Sequence, residues 1–343
     1  MIDLKSLLPD ELEAYLISLG EPKFRAKQVF SWLNKGVKDF DEMRNIPASL
    51  RQKLAEKTYI NRLNLLRKQV SAVDGTTKYL WELRDGNAVE TVVMRYEHGL
   101  TVCVSSQVGC RQGCAFCAST IGGLVRNLTA SEILDEVLYS QLDQGTNISN
   151  IVIMGIGEPL DNYDAVLQFL RLVNHPDGLN IGMRHISLST CGLTDGIDAL
   201  AQENLQLTLA LSLHAPDDET RTKLMPANRK SGIAEVIRAC ENYFHKTGRR
   251  ITFEYAMIHE VNDSPAQAQQ LAALSKRVKA HINLIPLNHV EERTFSPSSP
   301  ERMKSFCKIL EQHGANYTVR RSLGDDVDAS CGQLRRKREL ELN

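Results

Sequence analysis

The sequence lacks any apolar run near the roughly 20 residues that a membrane-spanning helix requires. Its first residues, MIDLKSLLPDELEAYL, carry acids where a secretory signal would carry a basic and then an apolar region. Low-complexity segments and internal repeats are also missing. We therefore expect a cytoplasmic globular protein with no membrane association. Its 343 residues, 42% of them hydrophobic, are enough for one large domain with an appendage.

An excess of charge of one sign is missing too, since 41 Lys and Arg and 42 Asp and Glu give a net charge of −1. The balance hides a basic segment, because residues 23–68 hold twelve Lys or Arg against four acids, a local charge of +8. The C-terminal end is basic as well, at Arg320, Arg321 and residues 335–338. Such regions can contact nucleic-acid phosphates, but runs of charge are more often solvated surface, so charge alone leaves both interpretations open.

The order of the predicted secondary structure is that of an α/β protein. The first 65 residues show short helical patterns, and β-like runs such as KYLWEL and AVETVVMRY follow. Strand-like and helix-like segments then alternate, as in parallel βα units. The strand candidates are TVCVSS, NIVIMG, HISLST, LTLALSLH, ITFEYAMI, HINLIPL and NYTVRR. The best marked helix candidate is TASEILDEVLYSQL, where Thr129 and Glu132 form a capping box.

Two architectures can be built from these elements, a doubly wound sheet and a partial barrel. Polar or small residues follow strand after strand, in the three-cysteine loop, GIGEP, STCG, SLHA and PLN. Active sites of barrels gather at the carboxyl ends of their strands. The pattern therefore favours a partial barrel with its site at that rim.

Three of the eight cysteines form the pattern C-x3-C-x2-C, at Cys110, Cys114 and Cys117. In a reducing compartment, such a group is more typical of a metal or catalytic site than of disulfides. Zinc usually takes four protein ligands, and no fourth Cys or His stands at a suitable spacing. Three thiolates leave one iron of a 4Fe-4S cluster open to a small molecule, so the pattern favours a reactive cluster over an electron-transfer one.

This pattern after a first barrel strand resembles the radical S-adenosylmethionine (SAM) enzymes, and further motifs make the chain similar to the RlmN family. QVGC, GIGEP, SLHAP, MPAN, VND, NLIPLN and DDVDASCGQL follow in that family's order, from about residue 10 to Arg338. Two departures are Ser330, where Ala is usual, and Cys191 after Ser189 and Thr190. Neither removes a functional side chain.

The resemblance implies a partial (βα)6 radical SAM barrel with a small helical accessory domain and a β extension. The implied divisions are an accessory domain at 1–65 that contacts RNA, a β extension at 66–95, the barrel at 96–330, and a C-terminal segment at 331–343 with a catalytic cysteine and a basic tail. The implied partners are 23S rRNA, tRNA and an electron-donating reductase of the flavodoxin or ferredoxin type. The protein is expected to act as a monomer.

The activity that the resemblance implies is methylation of adenine carbon 2, in 23S rRNA at the peptidyl-transferase centre and in tRNA beside the anticodon. Carbon 2 lies between two electron-withdrawing ring nitrogens, so it is too poor a nucleophile to attack the methyl group of SAM. The implied route uses one 4Fe-4S cluster and two SAM per turnover. One SAM methylates Cys331, and a 5′-deoxyadenosyl radical from the second activates that S-methyl group. Cys103 then releases the product by forming a disulfide with Cys331, while Glu90 removes the carbon 2 proton.

The resemblance also implies a set of SAM contacts at predicted strand ends: Gly155, Gly157, Glu158, Ser189, Ser212, Leu213, His214 and Asn288. The glycines would let the backbone approach the ligand, and Glu158 would bind its ammonium group. Judged without the family, Cys103 is a buried small side chain, Glu90 a surface acid and His214 a structural histidine. Cys191, Cys240 and Cys307 are expected to be structural.

Three other functions stay open. The nearest is a Cfr-type methyltransferase, which has the same cysteines and modifies adenine carbon 8. The second is a radical SAM enzyme that acts on a protein or a small molecule, such as an activase of a glycyl-radical enzyme, which would have no use for Cys103 and Cys331. The third is a non-catalytic, zinc-bearing factor that binds RNA.

Overall fold

The computed structural model describes residues 1–288, 290, 292–321, 323–324, 326–327 and 335. Its amino-terminal part is a small helical module. The elements of this module are β1 (Ile2–Asp3), α1 (Pro9–Ser18), α2 (Phe24–Leu33), α3 (Ala48–Lys57) and β2 (Thr58–Tyr59). β1 and β2 pair in parallel. Leu12 and Leu16 on α1 and Leu50 and Leu54 on α3 are fully buried, and their spacing of four residues places each pair on one helix face.

An antiparallel β extension follows the helical module. Its strands are β3 (Asn64–Val70), β4 (Thr77–Glu82), β5 (Ala88–Tyr96) and β6 (Gly99–Cys103). The turn between β4 and β5 contains Gly86 at a φ of 84°, a conformation that glycine adopts without the cost of a side chain. Because β6 also pairs in parallel with a later strand, it joins the extension to the rest of the sheet.

Six βα units form the remainder of the sheet, and β6 begins the first of them. The later strands are β7 (Gln107–Gly109), β8 (Leu124–Asn127), β9 (Ile148–Ile153), β10 (Ile186–Thr190), β11 (Thr208–Ser212), β12 (Thr252–Met257), β13 (His281–Pro286) and β14 (Tyr317–Val319). The helices are α4 (Ala130–Gln144), α5 (Tyr163–Asn174), α6 (Thr194–Gln202), α7 (Asp218–Leu224), α8 (Ile233–Thr247), α9 (Pro265–Arg277) and α10 (Pro300–Gln312). β7 and β8 form a separate antiparallel pair.

The sheet confirms the predicted partial barrel. Its order is β14-β13-β12-β11-β10-β9-β6-β5-β4-β3, with all pairs from β6 to β14 parallel. Within the described residues β14 pairs with β13 alone, so the barrel is open on that side. All seven strand candidates form strands, and the capping box of Thr129 and Glu132 begins α4 as predicted. None of the described helices has both the length and the apolarity needed to cross a membrane.

A buried polar network fixes the helical module to the barrel. The Lys5 ammonium is paired with Asp135 on α4 and donates to the carbonyl of Asn61 at 3.2 Å. The amide of Asn61 donates to the second oxygen of Asp135 at 2.9 Å. Burial raises the pKa of Asp135 to about 6, although Lys5 acts in the opposite direction. The network therefore holds the module in one orientation against the first barrel helix.

Candidate active site

The three motif cysteines lie on the loop between β7 and β8, at the carboxyl end of the first barrel strand. Backbone bonds shape this loop, since Cys110 N–H donates to the carbonyl of Gly123 at 3.0 Å and Ala115 N–H to that of Leu224 at 2.8 Å. Cys110, Cys114 and Cys117 all line one cavity of about 300 Å³. Burial raises the pKa of the Cys110 thiol to about 12, and that of Cys114 above its usual range.

The cysteines fit a multi-iron cluster. Among the described residues, no three Cys, His, Asp or Glu side chains converge as the ligands of a single metal ion do. A 4Fe-4S cluster binds each of its cysteines at a different iron, so it requires thiolates spread around a cavity. Iron bound to a thiolate would also stabilise its deprotonated form, which would offset the effect of burial on Cys110 and Cys114.

Two glycines after β9 have a role that the sequence did not reveal. Both line the cavity, but a Cβ at Gly155 would lie 2.7 Å from the carbonyl oxygen of Val104. A Cβ at Gly157, where φ is 110°, would lie 2.7 Å from the side chains of Ser106 and Gln107. The close approach that these glycines permit is therefore to the chain segment after β6. Their predicted role, the close approach of the backbone to a ligand, stays a prediction, and this packing role is additional to it.

Glu158 is buried in the wall of the same cavity. One carboxylate oxygen accepts the N–H of Cys191 at 2.7 Å and the other accepts the N–H of Leu160 at 3.1 Å. Burial raises the pKa of Glu158. Each carboxylate oxygen has two lone pairs, so the group can still accept from a ligand ammonium.

The predicted SAM contacts separate into two groups. Ser189, Ser212, His214 and Asn288 line the cavity, and the hydroxyls of the two serines are 3.1 Å apart. Leu213 does not belong to the lining, because its side chain is fully buried in the core. This prediction is therefore not supported for the leucine side chain.

His214 is fixed in one neutral form. Its Nδ1 accepts the N–H of Ala256 at 3.0 Å, and burial lowers its pKa to about 3. The ring stands edge-on to Phe116, with the centroids 4.9 Å apart. Since Nδ1 accepts, the ring proton is at Nε2, which leaves the histidine able to donate one hydrogen bond.

Glu90 and Cys103 lie on the same face of the sheet. Cys103 is paired with Val92 on β5, and Glu90 stands two residues before Val92, so the three side chains point to one side. Glu90 is buried, which contradicts its interpretation as a surface acid. Its carboxylate pairs with the Lys78 ammonium at 3.0 Å and accepts the N–H of Arg335 at 2.6 Å. Cys103 is also buried, as expected.

The other predicted catalytic cysteine, Cys331, lies outside the described residues. Described residues on either side of it are bound to the β extension. Asp326 accepts the N–H of Ala72 at 3.0 Å, and Arg335 reaches Glu90.

Besides Lys5, sequence reasoning missed two buried cations close to the predicted site residues. Lys78 is fully buried beside Glu90, and its signal was a lysine directly before the apolar residues 79–81 of a predicted strand. The guanidinium of Arg221 is also fully buried, and no carboxylate within the described chain pairs with it. Arg221 donates to the carbonyls of Cys191 at 2.6 Å and Leu213 at 3.1 Å. It therefore ties together the chain segments that leave β10 and β11 at the cavity.

Comparison with known proteins matches both parts of the chain. The profile of the Radical SAM superfamily matches residues 104–272, and that of the ribosomal RNA large subunit methyltransferase N-terminal domain matches residues 2–60. The chain is 53% identical over 336 residues to the probable dual-specificity RNA methyltransferase RlmN of Alkaliphilus oremlandii (strain OhILAs), covering 98% of each. It is 54% identical to the protein of that description from Symbiobacterium thermophilum, covering 96% of this chain and 90% of the other.

A solved structure has the same fold. The crystal structure of a radical SAM methyltransferase from Sphaerobacter thermophilus superimposes with a TM-score of 0.92 at 44% sequence identity. The match covers 97% of this chain and 99% of the other. The structural match therefore includes the barrel, the β extension and the helical module together.

Proposed function

Because this chain belongs to the RlmN family of radical SAM RNA methyltransferases, we propose that it methylates carbon 2 of adenine in 23S rRNA and in tRNA. The observation that carries the proposal is the placement of Glu90 and Cys103 on one face of the sheet that also holds the cysteine-lined cavity. A thiol and an oriented carboxylate on that face serve a reaction in which a cysteine carries the one-carbon unit. Direct transfer of the methyl group from SAM to adenine would require neither the thiol nor the carboxylate.

The family uses a 4Fe-4S cluster and SAM, and the residues present fit both. Cys110, Cys114 and Cys117 would hold the cluster. Gly157, Glu158, Ser189, Ser212, His214 and Asn288 would contact SAM, together with the backbone at Leu213. Bound there, the cluster would supply the electron that cleaves SAM to a 5′-deoxyadenosyl radical, with two SAM consumed per turnover. The electron would come from a reductase of the flavodoxin or ferredoxin type.

In this proposal three side chains of the protein act on the adenine. Cys331 carries the one-carbon unit to carbon 2. The Cys103 thiolate attacks the sulfur of Cys331, which breaks the carbon–sulfur bond and forms a disulfide. The electron pair of the broken bond stays on the one-carbon unit, which takes up a proton to become the methyl group, and the unpaired electron left by radical addition would return to the cluster. Glu90 takes the proton from carbon 2, and Lys78 and the Arg335 N–H orient its carboxylate for that transfer.

The first test is anaerobic turnover with SAM that carries a deuterated methyl group, on rRNA fragments and tRNA separately. We expect labelled 2-methyladenosine, identified by mass spectrometry against synthetic 2-methyl and 8-methyl standards. Omission of the reductant is the control and should give no product. Labelled 8-methyladenosine would favour the Cfr-type alternative, and the absence of any methyladenosine would reject both. An activase would instead leave a radical on a protein substrate.

We further propose that the helical module at 1–65 contacts RNA and that the β extension at 66–95 joins it to a barrel at 96–330. We also propose that a monomer is sufficient for activity.

The cations of the basic segment at 23–68 are of two kinds, those that form an ion pair and those that do not. Four of its lysines pair with acids outside the segment: Lys23 with Glu13, Lys27 with Asp177, Lys53 with Glu21 and Lys68 with Asp143. The exposed side chains of Lys35, Lys38, Arg44, Lys57 and Arg62 form no ion pair within the described residues.

Replacing four of the unpaired cations by glutamine, at Lys35, Arg44, Lys57 and Arg62, should weaken RNA binding. Each lost phosphate contact should reduce the slope of log K against log salt concentration, in magnitude, by about 0.7 to 0.9. The measurement is RNA affinity by fluorescence anisotropy over a range of salt concentrations. The matched control replaces the paired lysines at 23, 27, 53 and 68, which changes the net charge equally but should change the slope less. An unaltered slope in the first variant would reject this surface.

A further inference from the structure

A second cavity, of about 240 Å³, lies in the barrel on the amino-terminal side of the cysteine-lined one. We call it the lower cavity. Its lining is mostly polar and includes Glu254, Asn283 and Arg320, with the apolar side chains of Met94, Val152 and Met154. Met154 lines both cavities, so the two are neighbours within one barrel. The proposed chemistry uses none of these polar side chains.

Glu254 in this wall has an unusual hydrogen-bond pattern. One carboxylate oxygen accepts from the amide of Asn283 at 3.0 Å, but the other, Oε2, is buried with no partner among the described residues. The buried carboxylates of Glu136 and Glu158 differ, since both oxygens of each accept hydrogen bonds. A buried polar atom without a partner is costly, so Oε2 indicates a missing donor or acceptor from outside the described chain.

The lower cavity adjoins the proposed reaction centre. Met94 and Val152 line it and also pack against Cys103. At its edge is the exposed Arg320, whose guanidinium lies 4.0 Å from the sulfur of Met94. A ligand in the lower cavity would therefore lie next to the Cys103 thiol, with a cation beside it.

We infer that the lower cavity receives the target adenine, turned out of its RNA, and that Glu254 binds the edge formed by its amino group and N7. This inference rests on the proposed function. A base held by that edge points carbon 2 away from Glu254, because carbon 2 lies across the six-membered ring. Carbon 8, which is bonded to N7, would lie against the wall that contains Glu254. Glu254 would thus determine which carbon meets the cysteines, and Arg320 would face the phosphate.

The chemistry of the carboxyl group matches this edge. The amino group of adenine donates and N7 accepts. Burial raises the pKa of Glu254, although Arg320 acts in the opposite direction, and a carboxyl group that carries its proton offers a donor and an acceptor side by side. An adenine that is turned out of the RNA loses its stacking on the neighbouring bases, so the pocket must offset that free-energy cost with hydrogen bonds and packing contacts.

The test compares two RNA stem-loops, one with adenine and one with 7-deazaadenine at the methylated position. We expect the loss of N7 to raise KM about tenfold in the wild-type enzyme, the size of a good base-edge contact. Glu254→Gln should keep this penalty, because an amide also presents a donor and an acceptor to adenine. Glu254→Met should raise KM for the normal RNA about tenfold and remove the penalty. Affinity measured by anisotropy should follow KM.

The outcomes separate this inference from the function on which it rests. A wild-type enzyme that makes 2-methyladenosine but shows no 7-deaza penalty would overturn the lower cavity as the adenine site, and this requires no variant to fold. If 7-deazaadenine raises KM in Glu254→Met as much as it does in the wild-type enzyme, the proposed role of Glu254 is overturned. Iron content and melting temperature show whether that variant is folded. A wild-type enzyme that makes no methyladenosine would reject the proposed function itself.

Discussion

Replacing Cys103 by alanine is expected to leave the enzyme covalently attached to its RNA. In our proposal Cys331 forms the bond to adenine and Cys103 only breaks it, so the variant loses the thiolate that completes release. Cys103 is packed against Val92 and Met94, and its loss should cost about 1 kcal/mol of stability, the usual size for one substitution. The adduct is a thioether, so it should survive denaturation and appear as a labelled RNA band that migrates with the protein.

The companion variant distinguishes the two cysteines. Cys331→Ala has no sulfur to carry the one-carbon unit, so it should yield neither methylated protein nor adduct. Cys240→Ala is the control for a buried thiol, since Cys240 lies on α8 in the main core and should leave turnover intact. An adduct with Cys331→Ala and none with Cys103→Ala would reverse the assignment.

Local signals in the sequence were sufficient to predict the barrel strands and the start of α4. Thr129 and Glu132 stand three residues apart, and their reciprocal bonds depend on nothing beyond the first turn of α4. The seven strand candidates were correct for a similar reason, since apolar runs between turn signals keep their character in any parallel sheet. The cysteine motif belongs to this class, because one short loop carries all three thiols.

Contacts between distant segments could not be predicted in this way. Lys78 meets Glu90 only because β4 and β5 pair in one register, and Lys5 meets Asp135 across 130 residues of sequence. Gly157 illustrates the same limit, since the atoms that exclude a Cβ belong to Ser106 and Gln107. The lower cavity is also a property of the assembled sheet, because eight strands, β5, β6 and β9 to β14, contribute to its wall.

Replacing any one of Cys110, Cys114 and Cys117 by alanine should abolish SAM cleavage and leave the protein folded. Three thiolates are the full protein ligand set of the proposed cluster, so each loss removes one of its attachments. The backbone bonds from Cys110 to Gly123 and from Ala115 to Leu224 do not involve the thiols, so alanine retains them. The measurements are iron and sulfide content, 5′-deoxyadenosine production and the melting temperature.

Cys240→Ala should show the opposite pattern in these assays. Its thiol fills space in the main core, whereas none of the three loop cysteines belongs to that cluster of buried side chains. Cys240→Ala should therefore melt at a lower temperature but keep its iron and its SAM cleavage. Iron and cleavage retained in Cys110→Ala would contradict the ligand assignment. If the wild-type protein carries zinc and no iron after anaerobic purification, the non-catalytic alternative is favoured instead. Without the cluster no radical can form, and the S-methyl group of Cys331 cannot be activated for addition to carbon 2.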